Sequence, residues 1–344
     1  MYSIYKNKIS IITGAYGFIG FHVAKRLAYN GCKVLLVDRV PKSKLDKYFK
    51  KLLKNPNVIG YVVSDLNDGK FLKKSKKYDL VGANIFHFAA RLGVKYITTN
   101  PYNSFKNNLS LTINAIEMAN KIGASCFIFP STSEVYDWGA RKILVKNNTP
   151  VQVKNAIVFD SLNDSRLSYA LSKFTGEILN FTNKMENKIE AVNLRIFNSY
   201  GPRMGMRHVI PEIYKRAYLA NIKNNKNPDI GVYSVNHKRS FCFIEDTVDQ
   251  IINSLNHMKE DKVNIFNIGN PSAPIKIGDL AKKILESQNM VGNIIPLINK
   301  NDNIRFRTFK ISKKLLHNKT FVSLDDGLNK TLDYYKKEIK KFIL

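Results

Sequence analysis

Tyr169 and Lys173 stand four apart in RLSYALSK, so on a helix they share one face, a single turn apart. A phenol with a pKa of roughly 10 is a poor base at neutral pH. A nearby ammonium, or a positive ring bound beside it, favours the phenolate and brings the group toward the range where it can take a proton from a hydroxyl. A second cluster, Ser131-Thr132-Ser133-Glu134, follows directly on the apolar run Cys126 to Pro130. Hydroxyls there can hydrogen-bond an oxygen that the tyrosine deprotonates, and the Glu134 carboxylate can move a second proton. Alone, each pattern is also that of an ordinary surface pair or a solvated turn, so the rest of the chain has to decide.

The glycines tip the balance. In ISIITGAYGFIG, Gly14, Gly17 and Gly20 follow an apolar run and open a helical one, with Phe18 and Ile19 in its first turn. Glycine at these places lets a pyrophosphate approach backbone amides at a helix N-terminus. The next apolar run, KVLLVDR, ends in Asp38, eighteen residues after Gly20, where a carboxylate can accept both hydroxyls of an adenosine ribose. That favours NAD, because a 2′-phosphate would be repelled by the carboxylate. Arg39 next door is the residue that could bind such a phosphate instead.

These groups need elements to hold them. Short apolar runs at 9–13, 33–37, 58–63, 84–88, 126–130 and 190–197 are rich in β-formers and bounded by turns, and helical periodicity fills 18–29, 102–122 and 167–185. The alternation predicts an α/β fold, a doubly wound parallel sheet of the Rossmann type. Beyond about residue 200 the rhythm loosens into helices at 211–220, 245–258, 277–286 and 324–340 with short strands between them, a smaller α/β lobe. The expected division is 1–198 for the dinucleotide-binding domain and 199–344 for a substrate lobe interleaved with it. No repeat and no Pro-, Gly- or Ser-rich linker separates the two.

Composition bounds the function class. With 344 residues and 44% hydrophobic content the chain can bury one large core. No apolar run is long enough for a membrane span, and the N-terminus reads as a strand, which points to a soluble, cytoplasmic protein. Cys32, Cys126 and Cys242 are odd in number and widely spaced, and the six histidines show no ligand spacing, so neither a disulfide framework nor a metal site is expected. The excess of 55 basic over 27 acidic residues, net +28, is scattered among asparagines without a stripe of stacking aromatics. It therefore reads as solvated surface lysine, not as a nucleic-acid or membrane-binding face, although a positive field speeds encounter with an anionic small substrate.

Taken together, the motifs resemble those of the extended short-chain dehydrogenase/reductases that modify nucleotide sugars. The resemblance runs through TGAYGFIG at 13–20, Asp65-Leu66, HFAA at 87–90 with Ala89 and Ala90, Asn108 and Thr112 on the long helix, and STSEVY at 131–136. It continues through Tyr169 and Lys173, LRIFNSYGPRM at 194–204, RSFCFIEDTVD at 239–249 and NIGNP at 267–271. It implies that Tyr169 takes the proton of the C4′ hydroxyl while hydride passes to NAD, that Lys173 holds the cofactor's ribose and stabilises the phenolate, and that Thr132 bonds the same oxygen. By the same resemblance Asp65, Leu66, Ala89, Ala90 and Asn108 belong to the cofactor site. Asn198, Arg203 and Arg239 belong to the nucleotide-diphosphate site. His87 is expected to pack behind the cofactor without a chemical role.

The fate of the 4-keto sugar depends on residues 132–134. Glutamate at position 134 is similar to dehydratases and decarboxylases, whereas members that only epimerise usually carry a small or hydroxyl residue. Ser133 replaces the aspartic acid of the dTDP-glucose dehydratases. Thr-Ser-Glu, GPRM, RSFC, NIGNP and Arg166 three residues before the tyrosine resemble the UDP-glucuronate decarboxylases, and Thr-Ser-Glu is shared with GDP-mannose 4,6-dehydratases. The AARLGVKY segment and VIP at 209–211 are similar to relatives labelled only as epimerase/dehydratase. Decarboxylation of a UDP-glucuronate-type substrate is the leading expectation, 4,6-dehydration or 4-epimerisation the alternative, and a non-catalytic NAD-binding module the remote one. In relatives, helices matching 102–122 and 167–185 form a four-helix contact, and their surplus of apolar positions here implies a homodimer.

Overall fold

The computed structural model describes residues 2–137, 150–159, 164–223, 227–258, 264–272, 274–298, 309–316 and 320–342. Its centre is a seven-stranded parallel sheet in the order β11-β6-β5-β4-β1-β2-β3. The first six strands are β1 (Ser10–Thr13), β2 (Val34–Asp38), β3 (Val58–Val63), β4 (Asn84–His87), β5 (Cys126–Thr132) and β6 (Glu190–Ile196), close to the runs read from the sequence. β1 and β5 are buried at every position, as expected for strands covered on both faces.

Helices carry the chain between parallel strands. A four-residue α1 (Ser3–Lys6) precedes the sheet, and α2 (Phe18–Tyr29) links β1 to β2. α3 (Lys47–Leu53) and α4 (Phe71–Ser75) lie around β3, and α5 (Val94–Thr99) and α6 (Pro101–Lys121) connect β4 to β5. α7 (Leu167–Asn187) connects β5 to β6 and packs along α6. α3 lies outside the helices expected from periodicity: it is seven residues long, anchored by Phe49 and Leu52 and capped by Asp46, which accepts from the Phe49 amide. So short a segment shows too little periodicity to be read.

The winding reverses between β1 and β4, which lie side by side with Thr13 opposite His87. At that switch point the loops after the two strands diverge and leave a crevice at the strands' C-terminal edge. The glycine turn follows β1, residues 88–92 follow β4, and Ser133 onward follows β5, so all three chemical segments reach one edge.

The C-terminal part builds a lobe around α8 (Val209–Ile222), α9 (Ile244–Ser254), α10 (Ile277–Glu286) and α11 (Leu324–Glu338). Three short pairs complete it: β7 (Ser199–Tyr200) with β10 (Cys242–Phe243), β8 (Asp229–Tyr233) with β13 (Asn293–Leu297), and β9 (Lys238–Arg239) with β12 (Ile275–Lys276). β11 (Asn264–Ile268) returns to the main sheet and pairs in parallel with β6. One continuous apolar core accordingly runs from Val34 and Leu36 in the sheet to Ile213, Ile251 and Leu332 in the lobe. Among the described residues no helix is long and apolar enough to cross a membrane.

Candidate active site

One cavity of about 580 Å³ runs along the crevice and gathers most of the expected groups. At one end lie Gly14, Gly17, Phe18, Ile19 and Gly20, with Asp38, Arg39, Asp65 and Leu66 beyond them. Ala89 and Ala90 line its wall, Thr132, Ser133, Glu134, Tyr169 and Lys173 stand together further along, and Asn198 faces them from the lobe side.

Two glycines of the turn tolerate nothing larger. Gly14 has φ +66°, and a Cβ there would lie 2.6 Å from the Ala89 nitrogen. A Cβ on Gly20 would come within 2.3 Å of the Gly14 carbonyl oxygen. The bare backbone and the N-terminus of the twelve-residue α2 form a cradle for a diphosphate. Asp38 is oriented by two backbone amides: Tyr16 N–H donates to its Oδ2 at 2.9 Å and Val40 N–H to its Oδ1 at 3.1 Å. Asp65 holds its own turn, accepting from the Asn67 amide at 3.0 Å. The residues present fit NAD, and the Asp38 carboxylate has the chemistry to accept ribose hydroxyls.

At the chemical end, Tyr169 sits in the first turn of α7 and Lys173 one turn later. Burial pushes the Tyr169 phenol well above its usual range; the Glu134 charge pushes it the same way, and the Thr132 hydroxyl beside it opposes them. The expected lowering by Lys173 is absent. The ammonium donates to the Pro130 carbonyl at 2.8 Å and lies 4.8 Å from the centre of the Phe129 ring. Burial lowers its pKa to about 8. In the protein alone, then, the phenol is held protonated, and a positive charge bound beside it is what remains to favour the phenolate.

Glu134 forms an ion pair with Arg166 at 3.3 Å, both side chains about one fifth exposed. Arg166, three residues before Tyr169, has its charge reinforced by Glu134 first and then by Asp137 and Asp164. The Thr132 Oγ1 accepts from the Glu134 amide at 3.3 Å, which ties the carboxylate's backbone to the hydroxyl at the end of β5. Below them Glu177 accepts from Ser131 and from Arg195, whose Nη2 is 2.7 Å from Glu177 Oε2. Arg195 Nη1 also donates to the Tyr136 hydroxyl at 2.8 Å, and that hydroxyl donates to Asn267 at 2.8 Å. This buried network joins α7, β6, β11 and the segment that carries Glu134.

Several expected residues stand elsewhere. Asn108 does not line the cavity; its side chain accepts from the Arg91 amide at 2.7 Å and donates to the Arg91 carbonyl at 3.1 Å. Arg203 is turned away into an ion pair with Asp46 and lies 4.1 Å from the centre of the Phe21 ring. Arg239, in β9, donates to the Lys238 carbonyl and is not among the lining residues. His87 is buried, shares a hydrogen bond of 2.9 Å between its Nδ1 and the Thr13 hydroxyl, and has its pKa lowered to about 3 by burial and then by Lys173. Arg91, Met204, His208 and Phe241 line the cavity without having been singled out from the sequence. The one available signal was their position beside recognised motifs. His208 precedes α8, and burial lowers its pKa, which favours the neutral ring.

Comparison with known proteins agrees with this arrangement. UDP-N-acetyl-alpha-D-glucosaminuronate decarboxylase of Bacillus cytotoxicus is 31% identical over 76% of this chain and 75% of its own length. UDP-glucuronate 4-epimerase 4 of Arabidopsis thaliana is 26% identical over 94% of this chain and 74% of its own. Among solved structures, UDP-glucuronic acid 4-epimerase from Bacillus cereus superposes with a TM-score of 0.78 at 24% identity, covering 96% of this chain and 99% of the other, which shows the shared fold. Residues 10–269 match the model of the NAD dependent epimerase/dehydratase family. A match over most of the chain, with the glycine turn, Asp38 and the Tyr169–Lys173 face along one cavity, makes this protein a member of the NAD-dependent epimerase/dehydratase family.

Proposed function

We propose that the protein decarboxylates a nucleotide-diphosphate uronate of the UDP-glucuronate type through a transient 4-keto sugar. NAD, when bound, would supply the hydride acceptor for oxidation at C4′ and the donor for the return step. Tyr169 accepts the proton of the C4′ hydroxyl, and Thr132 hydrogen-bonds the same oxygen. Oxidation at C4′ turns the uronate into a β-keto carboxylate. The C5′–C6′ bond can then break with its electron pair passing to the C4′ oxygen, where Tyr169 and Thr132 bear the charge, and carbon dioxide leaves. C5′ must next gain a proton, and Glu134 is the acid-base group at hand.

The observation that carries this reading is the Glu134–Arg166 pair set beside Tyr169. Dehydration is less well served, because Ser133 is a poor acid for a leaving C6′ hydroxyl. A second reading, 4-epimerisation of the same kind of uronate, has the support of relatives in Arabidopsis thaliana that bear the name UDP-glucuronate 4-epimerase. Mass spectrometry after incubation with UDP-, GDP-, CDP- and dTDP-sugars tests the choice. Loss of carbon dioxide supports decarboxylation, loss of water supports dehydration, and an isomer of unchanged mass supports epimerisation.

The same reading includes a homodimer. Exposed Tyr102 and Ile113 on α6 and Ile178, Phe181 and Met185 on α7 offer apolar surface to a second copy. Light scattering at micromolar concentration should give twice the chain mass of 39.3 kDa, and a monomer mass would reject the dimer.

A further inference from the structure

We propose that Arg91 reads the carboxylate of the sugar and sets the preference for a uronate over a neutral hexose; the inference rests on the uronate reading above. Arg91 lines the cavity, and among the described residues no carboxylate lies within ion-pair distance of its guanidinium. The other charged groups nearby are engaged. Glu134 is paired with Arg166, Lys173 donates to the Pro130 carbonyl, and Asp38 accepts two backbone amides. Of the two guanidiniums on the cavity wall, Arg39 directly follows Asp38 at the ribose position, and Arg91 is the other, in a site that must take an anionic molecule.

Its backbone is fixed on purpose-built terms. The buried Asn108 side chain bonds both the amide and the carbonyl of residue 91, so this position of the loop is held at two points. Asn108 lies in the N-terminal half of α6. β4, β5 and β6 are parallel, so α6 and α7 both run back against the sheet, and their N-terminal ends stand at the same edge. Tyr169 occupies the first turn of α7 at that edge. Arg91 is thereby held at the edge of the sheet that also carries Tyr169, while the glycine turn and the N-terminus of α2 already provide for the cofactor's diphosphate. A guanidinium offers paired donors that match a carboxylate's two oxygens, and in a partly desolvated site such a charge-assisted pair discriminates strongly against a hydroxymethyl group.

The test is calorimetric, with the NAD-loaded protein titrated with UDP, UDP-glucose and UDP-glucuronate. The wild type should bind UDP-glucuronate more tightly than UDP-glucose. In Arg91→Gln the affinity for UDP-glucuronate should fall by roughly 10- to 100-fold, the scale of one charge-assisted pair, with UDP, UDP-glucose and NAD within about twofold of wild type. Arg91→Lys, which keeps the charge but not the fork, should recover part of the preference. If the wild type shows no preference for the uronate, the uronate reading itself fails. If the wild type prefers the uronate and Arg91→Gln keeps that preference, the reading stands and Arg91 is not its cause. Equal weakening of UDP, or weakening of NAD, would place Arg91 on a diphosphate and overturn the assignment. Should Arg91→Gln not fold, an Arg91→Lys variant with wild-type affinity for all three ligands would count against a bidentate contact.

Discussion

Replacing Lys173 with methionine should make the NAD-free protein more stable at neutral pH and inactive at every pH. The Lys173 ammonium is buried, and its pKa falls from 10.5 to about 8 because burial penalises the charge. At roughly 1.4 kcal/mol per pH unit, that fall corresponds to about 3 kcal/mol. The sign comes from proton binding: between pH 8 and 10.5 the unfolded chain holds a proton on this lysine that the folded chain has released. Stability of the wild type therefore rises with pH across that window, and the cost of the buried charge is present in full below it and gone above it. Methionine has a similar stem and no charge. It loses the hydrogen bond to the Pro130 carbonyl, about 1 kcal/mol, and the cation's contact with the Phe129 ring, about 0.5–1 kcal/mol. Urea unfolding of NAD-free Lys173→Met should then give about 1 kcal/mol more stability than wild type at pH 7. At pH 10.5 the order should invert, because only the lost hydrogen bond remains. Added NAD should stabilise the wild type much more than the variant. A stability difference that stays constant from pH 7 to pH 10.5, or a variant less stable than wild type at pH 7, would refute the account of Lys173 as a destabilising charge kept for function.

Tyr169→Phe should lower turnover by roughly 10²-fold or more while NAD still binds, and near-wild-type turnover would remove the phenol from the reaction. Asp38→Ala should weaken NAD far more than NADP in a fluorescence titration, because the ribose hydroxyls lose their acceptor; tighter binding of NADP to the wild type would overturn the cofactor preference. Glu134→Gln removes a charge that holds the Tyr169 phenol up, so the acid limb of the C4′ oxidation, followed near 340 nm, should move to lower pH. The same variant should lose roughly 10²- to 10⁴-fold in final product, and an unshifted limb with a wild-type product rate would make Glu134 a spectator.

Much of this architecture was legible because local chemistry and global position coincide. The Cys126 to Pro130 run reads as a covered strand, and the glycines at 14 and 20 are demanded by backbone contacts of 2.6 and 2.3 Å that no other residue permits. Tyr169 and Lys173 share a face by helix geometry alone. Partnerships across the chain were not legible. Nothing local to Lys173 shows that its ammonium turns to the Pro130 carbonyl instead of toward the phenol. Arg203 lies within a motif whose arginine was expected on a phosphate, yet Asp46, 157 residues away, holds it. Asn108 was expected at the cofactor and instead clamps residue 91, since a buried amide bonds whichever backbone groups the fold brings to it. β11 could not be assigned to the main sheet from its five residues, because pairing with β6 depends on how the lobe folds back.

The division between fixed and adjustable parts explains how one scaffold can serve several outcomes. Ser131, Glu177, Arg195, Tyr136 and Asn267 are buried and mutually bonded, and together they hold β5, α7 and β6 in register below the site. A buried ion pair of this kind contributes little net stability against an apolar replacement, but removing one partner strands the other charge at a cost of about 3–5 kcal/mol. Its use here is positional, because it fixes where the Thr132 hydroxyl and the first turn of α7 meet. In the proposed reaction the oxidation at C4′, common to decarboxylation, dehydration and epimerisation, draws on the groups that this network holds in place. On the proposed reading the later step falls to side chains on the cavity wall that the network does not bind, namely Ser133, Glu134 and Arg91. On that reading a change at any of the three would alter the proton or the charge offered to the 4-keto sugar without touching the buried network, so the fate of the substrate can diverge while the machinery of oxidation stays the same.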